Sequence, residues 1–142
     1  MRKALLALAL IGLAYGVITT AGYAADDAAV TKATSTAESW LKLVDSGDYA
    51  GSWQTASTLF QQNVSADAWT QKVAAVREPL GPVLSRKLVG TQIATSLPGA
   101  PDGQYVVTRY DSSFKNKESA QEVVTSMLDN NGEWRVAGYF IE

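Results

Sequence analysis

The residues of this chain that could do chemistry are carboxylates and arginines, because the sequence holds no histidine and no cysteine. That composition excludes histidine-based triads, cysteine nucleophiles, zinc sites built on imidazole or thiolate ligands, and thiol redox chemistry. Carboxylate chemistry of the glycosidase kind stays possible. Its candidates are Glu78, Asp111, Glu118 and Glu122. Acidic residues near the ends of helices and strands are usually just solvated, so we predict no catalytic residue.

Two arginines flank a proline- and glycine-rich corner at residues 78–82. Arg77 precedes this corner and Arg86 follows it. An arginine at the mouth of the fold could bind an anionic group through two parallel hydrogen bonds. In the structural alternative, Arg77 complements the dipole at the end of its helix while its stem packs on Trp69 or Val73. The position of Arg77 favours the structural alternative.

Aromatic residues recur along the whole chain. They could line an apolar pocket between helices and sheet that suits a hydrophobic small molecule. Alternatively they fill the core, which a small domain without disulfides needs. Together with the two arginines, the candidate pocket comprises Trp53, Phe60, Trp69, Arg77, Arg86, Tyr105 and Tyr110. No acidic cluster has the spacing of a calcium loop, and we predict neither a metal site nor a cofactor.

A β-sheet in the last third of the chain must position these side chains. Residues 84–96, 104–114, 118–129 and 134–141 are rich in β-branched and aromatic residues, and turn residues separate them. Gly90 is a predicted bulge in the first strand. Asn131 and Gly132 predict a two-residue hairpin loop, because a type I′ turn needs positive φ at both of its central residues. The four runs predict a four-stranded antiparallel meander.

The predicted hairpin also predicts which face of the sheet is buried. A two-residue loop places odd positions before the turn beside even positions after it. We expect the core face to carry Val123, Thr125, Met127, Trp134, Val136, Gly138 and Phe140, because its large side chains have the most area to bury. The opposite, half-apolar face would then be a candidate interface for a homodimer. Its residues are Val124, Leu128, Tyr139 and Ile141, and the alternative is an ordinary outer face or one covered by residues 26–36.

Three helices precede the sheet. Ala33, Ala37, Trp40, Leu41 and Val44 recur at three- and four-residue steps, which predicts an amphipathic helix that Gly47 ends. A second helix is predicted from Asp48 to about residue 57, and a third from Ser65 to the residue before Pro79. Helices on one face of an antiparallel sheet make an α+β fold. The order of elements resembles the cone-like folds of nuclear transport factor 2 and cystatin-like proteins.

The first 24 residues have the pattern of a secretory signal peptide. Arg2 and Lys3 precede an apolar run, and Ala24 closes a small-residue cleavage site. We therefore predict a signal peptide at 1–24, a tether at 25–36 and a single domain at 37–142, located in the periplasm or secreted. Cleavage makes the net charge more negative than −2. An acidic domain without a basic patch argues against nucleic acid and against a membrane as a partner after cleavage.

Several motifs together resemble one bacterial exported family. They are AESW at 37–40, LVDSGDY at 43–49, VREPLG at 76–81, LPGAPDGQYVV at 97–107 and GEWRVAGY at 132–139. On these motifs the chain is similar to domain-of-unknown-function family 4019. The resemblance implies an exported bacterial protein of no established activity, and it carries no catalytic residue onto this sequence.

These observations predict a function class rather than an activity. We expect a non-enzymatic module that binds an unknown protein or small molecule. The alternative is a carrier or enzyme with an apolar pocket between helices and sheet. A third interpretation is an accessory of a larger envelope assembly, recruited through the outer face of the sheet.

Overall fold

The computed structural model describes residues 4–6 and 23–142 of the chain. Its helices are α1 (Tyr23–Asp45), α2 (Tyr49–Gln54), α3 (Thr58–Asn63) and α4 (Ala66–Leu80), and its strands are β1 (Ala4–Leu6), β2 (Val83–Ala94), β3 (Tyr105–Phe114), β4 (Lys117–Leu128) and β5 (Trp134–Ile141). The sheet is antiparallel with the order β1-β5-β4-β3-β2. The four helices pack on one face of it, so the predicted α+β meander is confirmed.

The strand β1 is an addition to the predicted sheet. It is three residues long and pairs with Tyr139, Phe140 and Ile141 at the free edge of β5. Its residues belong to the segment predicted as a signal peptide, and most of that segment lies outside the described residues. The signal peptide stays a prediction.

The first helix is longer than the sequence pattern predicts. Residues 25–36, which we expected to form a tether, are instead the first half of α1. Ala33 is fully buried and continues the stripe formed by Ala37, Trp40 and Leu41. The stripe from Ala33 onward is therefore as predicted, and what the pattern does not predict is that the polar, threonine-rich residues before Ala33 also belong to the helix.

The second predicted helix is two short helices. Asp48 caps α2 by accepting a hydrogen bond from the Gly51 N–H at 2.9 Å. The backbone N–H of Ser57 donates to the carbonyl oxygen of Val136 in β5 at 2.8 Å, and the Ser57 side chain caps α3. A backbone group that bonds to the sheet cannot continue a helix, so the chain turns there. Ser65 caps the next helix, as predicted.

The hairpin between β4 and β5 differs from the predicted turn. Asp129 donates its N–H to the carbonyl oxygen of Glu133 at 2.8 Å, which leaves three residues in the loop, with Gly132 at φ +81°. Leu128 therefore pairs with Trp134. A three-residue loop puts even positions beside even positions, so the expected alternation is wrong at this end of the hairpin.

An irregularity in β5 then reverses the alternation again. Ser126 pairs with Val136, whereas Thr125 pairs with Gly138, so one extra residue lies in β5. Beyond this bulge Val124 pairs with Tyr139. A bulge of this kind moves the following side chains to the other face of the strand.

Beyond the bulge the pairing has the predicted alternation, but the helices cover the opposite face, so the predicted core face is wrong for most of its residues. The helix-facing side of the sheet carries Val124 of β4 together with Val136, Tyr139 and Ile141 of β5, and all four belong to the hydrophobic core. Of the expected core residues, Val136 is the one that lies in this core cluster. The exposed fractions of Val124, Tyr139 and Ile141 are 0%, 2% and 4%. The candidate interface built on these three and on the partly buried Leu128 is therefore wrong, since the helices already cover it.

Candidate functional site

Four ionisable side chains from four different elements meet between the helices and the sheet. Asp45 is the last residue of α1, Arg77 lies in the last turn of α4, Arg86 lies on β2 and Glu122 on β4. We call these four residues the buried charge cluster. Arg86 binds Asp45 through two parallel hydrogen bonds, Nη1 to Oδ2 at 2.7 Å and Nη2 to Oδ1 at 2.9 Å. Nη2 of Arg77 donates to Asp45 Oδ1 at 2.8 Å.

Glu122 is the most deeply buried member, with no exposed surface. Its Oε1 accepts hydrogen bonds from Arg86 Nε at 2.8 Å and from Ser112 Oγ at 2.6 Å, and its Oε2 accepts one from the hydroxyl of Tyr139. The strand register explains this meeting, because Ser112 and Glu122 lie on the same face of neighbouring strands and Tyr139 follows on β5. A buried carboxylate needs such partners, since an unpaired one would cost several kcal/mol.

Contacts within the cluster shift the pKa values of Asp45 and Arg86 and that of the neighbouring Tyr139. Burial alone would raise the pKa of the Asp45 carboxyl, but hydrogen bonds and positive charge from Arg86 and Arg77 hold that pKa below its usual value. Burial would lower the pKa of Arg86, yet its hydrogen bonds to Asp45 and Glu122 raise it. Burial raises the pKa of the Tyr139 phenol well above its usual value, and the neighbouring negative charge of Glu122 adds to this. The phenol therefore remains a hydrogen-bond donor.

Arg77 has the least complete set of partners in the cluster. Its Nη1 lies 3.9 Å from Glu122 Oε2, and within the described residues neither Nη1 nor Nε makes a hydrogen bond. The guanidinium carbon lies 4.9 Å from the centre of the Phe114 ring, which is a cation–π distance. The structural alternative for Arg77 thus has a physical basis: a carboxylate and an aromatic ring hold the guanidinium in place.

The two positive and two negative charges of the cluster neutralise one another. An external anion could reach the bidentate edge of Arg86 only by displacing Asp45, which is bound to both arginines. The arrangement therefore joins α1, α4, β2 and β4, and the donors that we considered for an anionic ligand are already engaged by carboxylates.

The aromatic residues of the candidate pocket do not converge on one cavity. Phe60 and Trp69 are fully buried, and their rings meet edge to face with centroids 4.9 Å apart. Trp40 contacts both of these rings and also that of Tyr139. Ring-to-ring contact on several sides fills the space between the helices and this part of the sheet.

Of the other predicted pocket residues, Tyr110 belongs to the same hydrophobic core, Trp53 packs against it, and Tyr105 lies outside it. Trp53 is half-buried and donates its indole N–H to the carbonyl oxygen of Val64 at 2.8 Å. Tyr105 is buried beside the loop after β2, and its hydroxyl donates to the Pro101 carbonyl oxygen at 2.5 Å. Tyr110 is buried on the helix-facing side of β3, where burial raises the pKa of its hydroxyl. The structure brings together Arg77 and Arg86, and it places the aromatic residues other than Tyr105 in or against one core.

An open groove lies between α1 and the start of β5. Its volume is about 440 Å³, and one wall is polar because three hydroxyl residues of α1 face it. Arg135 lies at the opposite wall, where its Nη2 binds Glu133 Oε2 at 2.6 Å and its Nη1 reaches the carbonyl oxygen of Thr55 at 3.4 Å. The lining residues are Ser35, Thr36, Ser39, Trp40, Leu43, Thr55, Glu133, Trp134 and Arg135.

The large apolar side chains that are exposed in the described residues all lie on β2. Their exposed fractions are 67% for Leu84, 38% for Leu88, 46% for Val89 and 43% for Ile93. We call these four residues the β2 apolar strip. Among residues 4–6 and 23–142, the one strand that pairs with β2 is β3, so β2 is at the edge of the described sheet. Register irregularities occur at Leu84 and at Val89, so the bulge predicted at Gly90 is confirmed one residue earlier in the chain.

A family model for proteins of unknown function, DUF4019, matches residues 36–139, which is more than half of the chain. The chain belongs to this family. No curated protein and no solved structure matches it. The region matched to DUF4019 contains the whole buried charge cluster and the whole β2 apolar strip.

The described residues of this DUF4019 member contain neither a candidate metal site nor a membrane-spanning helix. Among residues 4–6 and 23–142, no group of three or more acidic side chains is placed to hold a metal ion. Within the same part of the chain, no helix has both the length and the apolar character needed to cross a membrane.

Sequence reasoning missed two features of the site. Asp45 was not singled out, although an acidic residue in the last turn of a helix opposes the helix dipole and so calls for a compensating cation. The β2 apolar strip was also missed. The sequence signal for this strip is the pair Leu88 and Val89 beside Gly90. Consecutive residues of a strand point to opposite faces, so two adjacent apolar side chains cannot both enter one core.

Proposed function

We propose that this DUF4019 chain is a non-enzymatic interaction module that binds a protein partner along β2. The β2 apolar strip is the observation that carries this proposal. Large apolar side chains exposed together on one strand commonly mark a binding surface. The rest of the fold supports the proposal, since other large apolar side chains of the described residues are covered by helices or loops.

The state of the ionisable groups supports a non-enzymatic role. The pKa values of Asp45, Arg77, Arg86 and Tyr139 are shifted from their usual values, and the partners of these side chains are one another and Glu122. Perturbed groups at a catalytic site face a cleft where substrate can reach them. Here Glu122 has no exposed surface and Arg77 is 5% exposed.

We also propose that the chain is exported after removal of residues 1–24. The charged start, the apolar run and the small residues before Ala25 support this. The mass of the intact protein purified from its own host tests the proposal: a chain that begins at Ala25 is expected. A cytoplasmic chain that retains its first residues would contradict it.

The interaction itself can be tested with a photoreactive residue at position 88, compared with one at position 71 on the exposed side of α4. We expect position 88 to give a covalent adduct of defined mass in living cells and position 71 to give none. If both positions give the same faint set of adducts, or position 88 gives none, β2 is not a binding surface. The mass of the adduct also reports whether the partner is this chain or another protein.

A second candidate function is binding of a small polar molecule in the groove between α1 and β5. The groove itself favours it, because hydroxyl groups, a guanidinium group and an indole surface converge there. Native mass spectrometry of the protein from its host tests this candidate. A bound molecule that is lost from an Arg135→Ala variant, but retained by a Lys72→Ala variant on α4, would support it.

A further inference from the structure

The four residues of the β2 apolar strip are spaced symmetrically along the strand. Leu84 and Leu88 are four residues apart, Val89 follows directly, and Ile93 is four residues further on. The pattern therefore reads the same in both directions about the midpoint between Leu88 and Val89. An antiparallel copy of the strip, centred on that midpoint, would place Leu84 opposite Ile93 and Leu88 opposite Val89.

We propose that the partner on β2 is a second copy of this chain, bound antiparallel through the two strips about a two-fold axis near Leu88 and Val89. This inference rests on the proposed function, because it assumes that β2 is the binding surface. In a two-fold interface each patch meets itself, so a residue that contacts a second one is also contacted by it. A palindromic spacing satisfies that condition, whereas an unrelated partner does not require it.

The charges along β2 fit this register. Lys87 is the one residue of the strand whose charge is not already engaged in the buried charge cluster, and the antiparallel register places it opposite Gly90 of the second copy. The position where a side chain of Gly90 would begin has no atom within 4 Å, so there is room for the stem of a lysine. The two Lys87 ammonium groups thus do not face one another directly.

The mode of contact follows from the two irregularities in β2. A bulge on an edge strand interrupts the row of hydrogen-bonding groups and hinders simple extension of the sheet. At the same place it leaves both Leu88 and Val89 exposed. The contact is therefore made by apolar side chains rather than by a long continuous ladder. A small apolar interface of this kind gives a dimer that dissociates on dilution.

Sedimentation equilibrium of the protein as it is purified from its own host, over a wide concentration range, tests this inference. We expect the unmodified chain to change from monomer to dimer as the concentration rises. The double variant Leu88→Lys, Ile93→Lys is expected to be monomeric throughout. The substitution at position 88 brings two like charges together near the two-fold axis, and the one at position 93 places a charge against Leu84 of the other copy. The control is Gln71→Lys, Ala75→Lys on the exposed side of α4, which adds the same charge and is expected to dimerise normally. Circular dichroism of each variant is the control for folding.

Introduced cysteines test the register, and the chain has no cysteine that could interfere. A mixture of Leu84→Cys chains and Ile93→Cys chains is expected to form mixed disulfides faster than either chain forms disulfides with itself. Faster self-crosslinking of Leu84→Cys would overturn the antiparallel arrangement. An unmodified chain that is monomeric at every concentration would overturn the dimer altogether.

The dimer and the proposed function can fail separately. If the chain is monomeric, yet position 88 crosslinks in cells to a different protein, β2 remains a binding surface and the identity of the partner is wrong. If the chain is monomeric and position 88 gives no adduct, both proposals fail. If the lysine variant dimerises as well as the unmodified chain, the dimer is built on another surface and this inference is wrong.

Discussion

Strand β2 contributes Arg86 to the buried charge cluster and carries the whole β2 apolar strip, so buried charge and exposed apolar side chains occur on the same strand. Arg86 of β2 lies on the helix-facing side, where Asp45 and Glu122 neutralise it. Leu88 and Val89, two and three residues further along, are exposed to solvent. Charge is thus placed inside the fold and apolar surface outside it, within one short segment.

The comparison teaches that residue type alone does not assign a role. Buried ions cost desolvation energy and usually add little net stability, so their retention points to a geometric role. Exposed leucine and valine give up burial that would stabilise the monomer by about 25 cal/mol per Å². One region defines how the elements meet, and the other is available for contact with a second molecule. The predictions below test whether this division holds.

The largest effect is expected when Glu122 is removed. Glu122→Ala leaves Arg86 and Arg77 with one carboxylate between them, and breaking a buried ion pair in this way costs about 3–5 kcal/mol. Urea denaturation of the variant and the unmodified chain measures the difference in the free energy of unfolding.

The matched control for Glu122 is Glu133→Ala. Glu133 pairs with Arg135 at the surface, with 64% of its side chain exposed. Removing an exposed pair is worth at most about 1 kcal/mol. If the two variants lose the same stability, the buried charge cluster has no special role in holding the fold together.

Asp45→Asn should reduce stability less, because the asparagine side chain keeps an oxygen that can accept hydrogen bonds; the charged hydrogen bonds that it loses are worth about 1.5–3 kcal/mol. The effect depends on pH. The folded pKa of Asp45 is below its unfolded value, so its contribution is fully present above the unfolded pKa near ~4 and is lost as pH falls through the lower folded pKa. The denaturation curves of the variant and of the unmodified chain should therefore differ at neutral pH and converge at strongly acidic pH.

The exposed loop residue Asp102 provides the comparison for this experiment. Asp102→Asn removes one carboxylate charge at the surface and should change the free energy of unfolding at neutral pH by no more than about 0.5 kcal/mol. A gap between Asp45→Asn and the unmodified chain that stays constant down to strongly acidic pH would show that the charge of Asp45 is not what stabilises the cluster.

A smaller loss is expected at the aromatic part of the core. Ser52 is fully buried, and its hydroxyl oxygen accepts a hydrogen bond from the indole N–H of Trp69 at 2.9 Å. Ser52→Ala leaves that N–H without a partner, at a cost of about 1–3 kcal/mol. Thermal denaturation measures the loss, and Ser46→Ala, at an exposed position, should be nearly neutral.

The smallest effect is expected on the β2 apolar strip. Leu88→Ser and Ile93→Ser should change the unfolding free energy of the dilute monomer by no more than about 0.5 kcal/mol, as is usual for surface positions. Chemical denaturation at low protein concentration tests this. A loss as large as that for Glu122→Ala would mean that the strip belongs to the core, and the comparison between the two regions would no longer stand.

Local signals in the sequence predicted most of the fold. Turn residues and β-branched runs placed β2 to β5, and the spacing of Ala37, Trp40 and Val44 placed α1. Capping residues located the start of α4 at Ser65. These features depend on neighbours in the chain, so a single sequence contains them.

The buried face of the sheet and the contacts of Asp45 could not be predicted in the same way. A loop longer by one residue and one bulge in β5 each reverse the alternation of side chains, so the predicted pairing is restored beyond the bulge. The remaining error is the choice of the buried face, because both faces carry apolar residues and the position of the helices decides which one is covered. Arg77, Arg86 and Glu122 were each identified, but residues 45, 77, 86 and 122 meet only through long-range packing. Their pairing depends on the complete fold rather than on any local pattern.

The wide separation of these four residues along the chain has a consequence for how the domain comes apart. Opening any one of α1, α4, β2 or β4 would remove one charged residue from the buried charge cluster and leave the others buried without their full set of partners. Partly open forms are therefore costly, and the chain should unfold in a single cooperative step. The hydrogen-bonded amide protons of these two helices and two strands should then exchange with solvent at nearly the same slow rate.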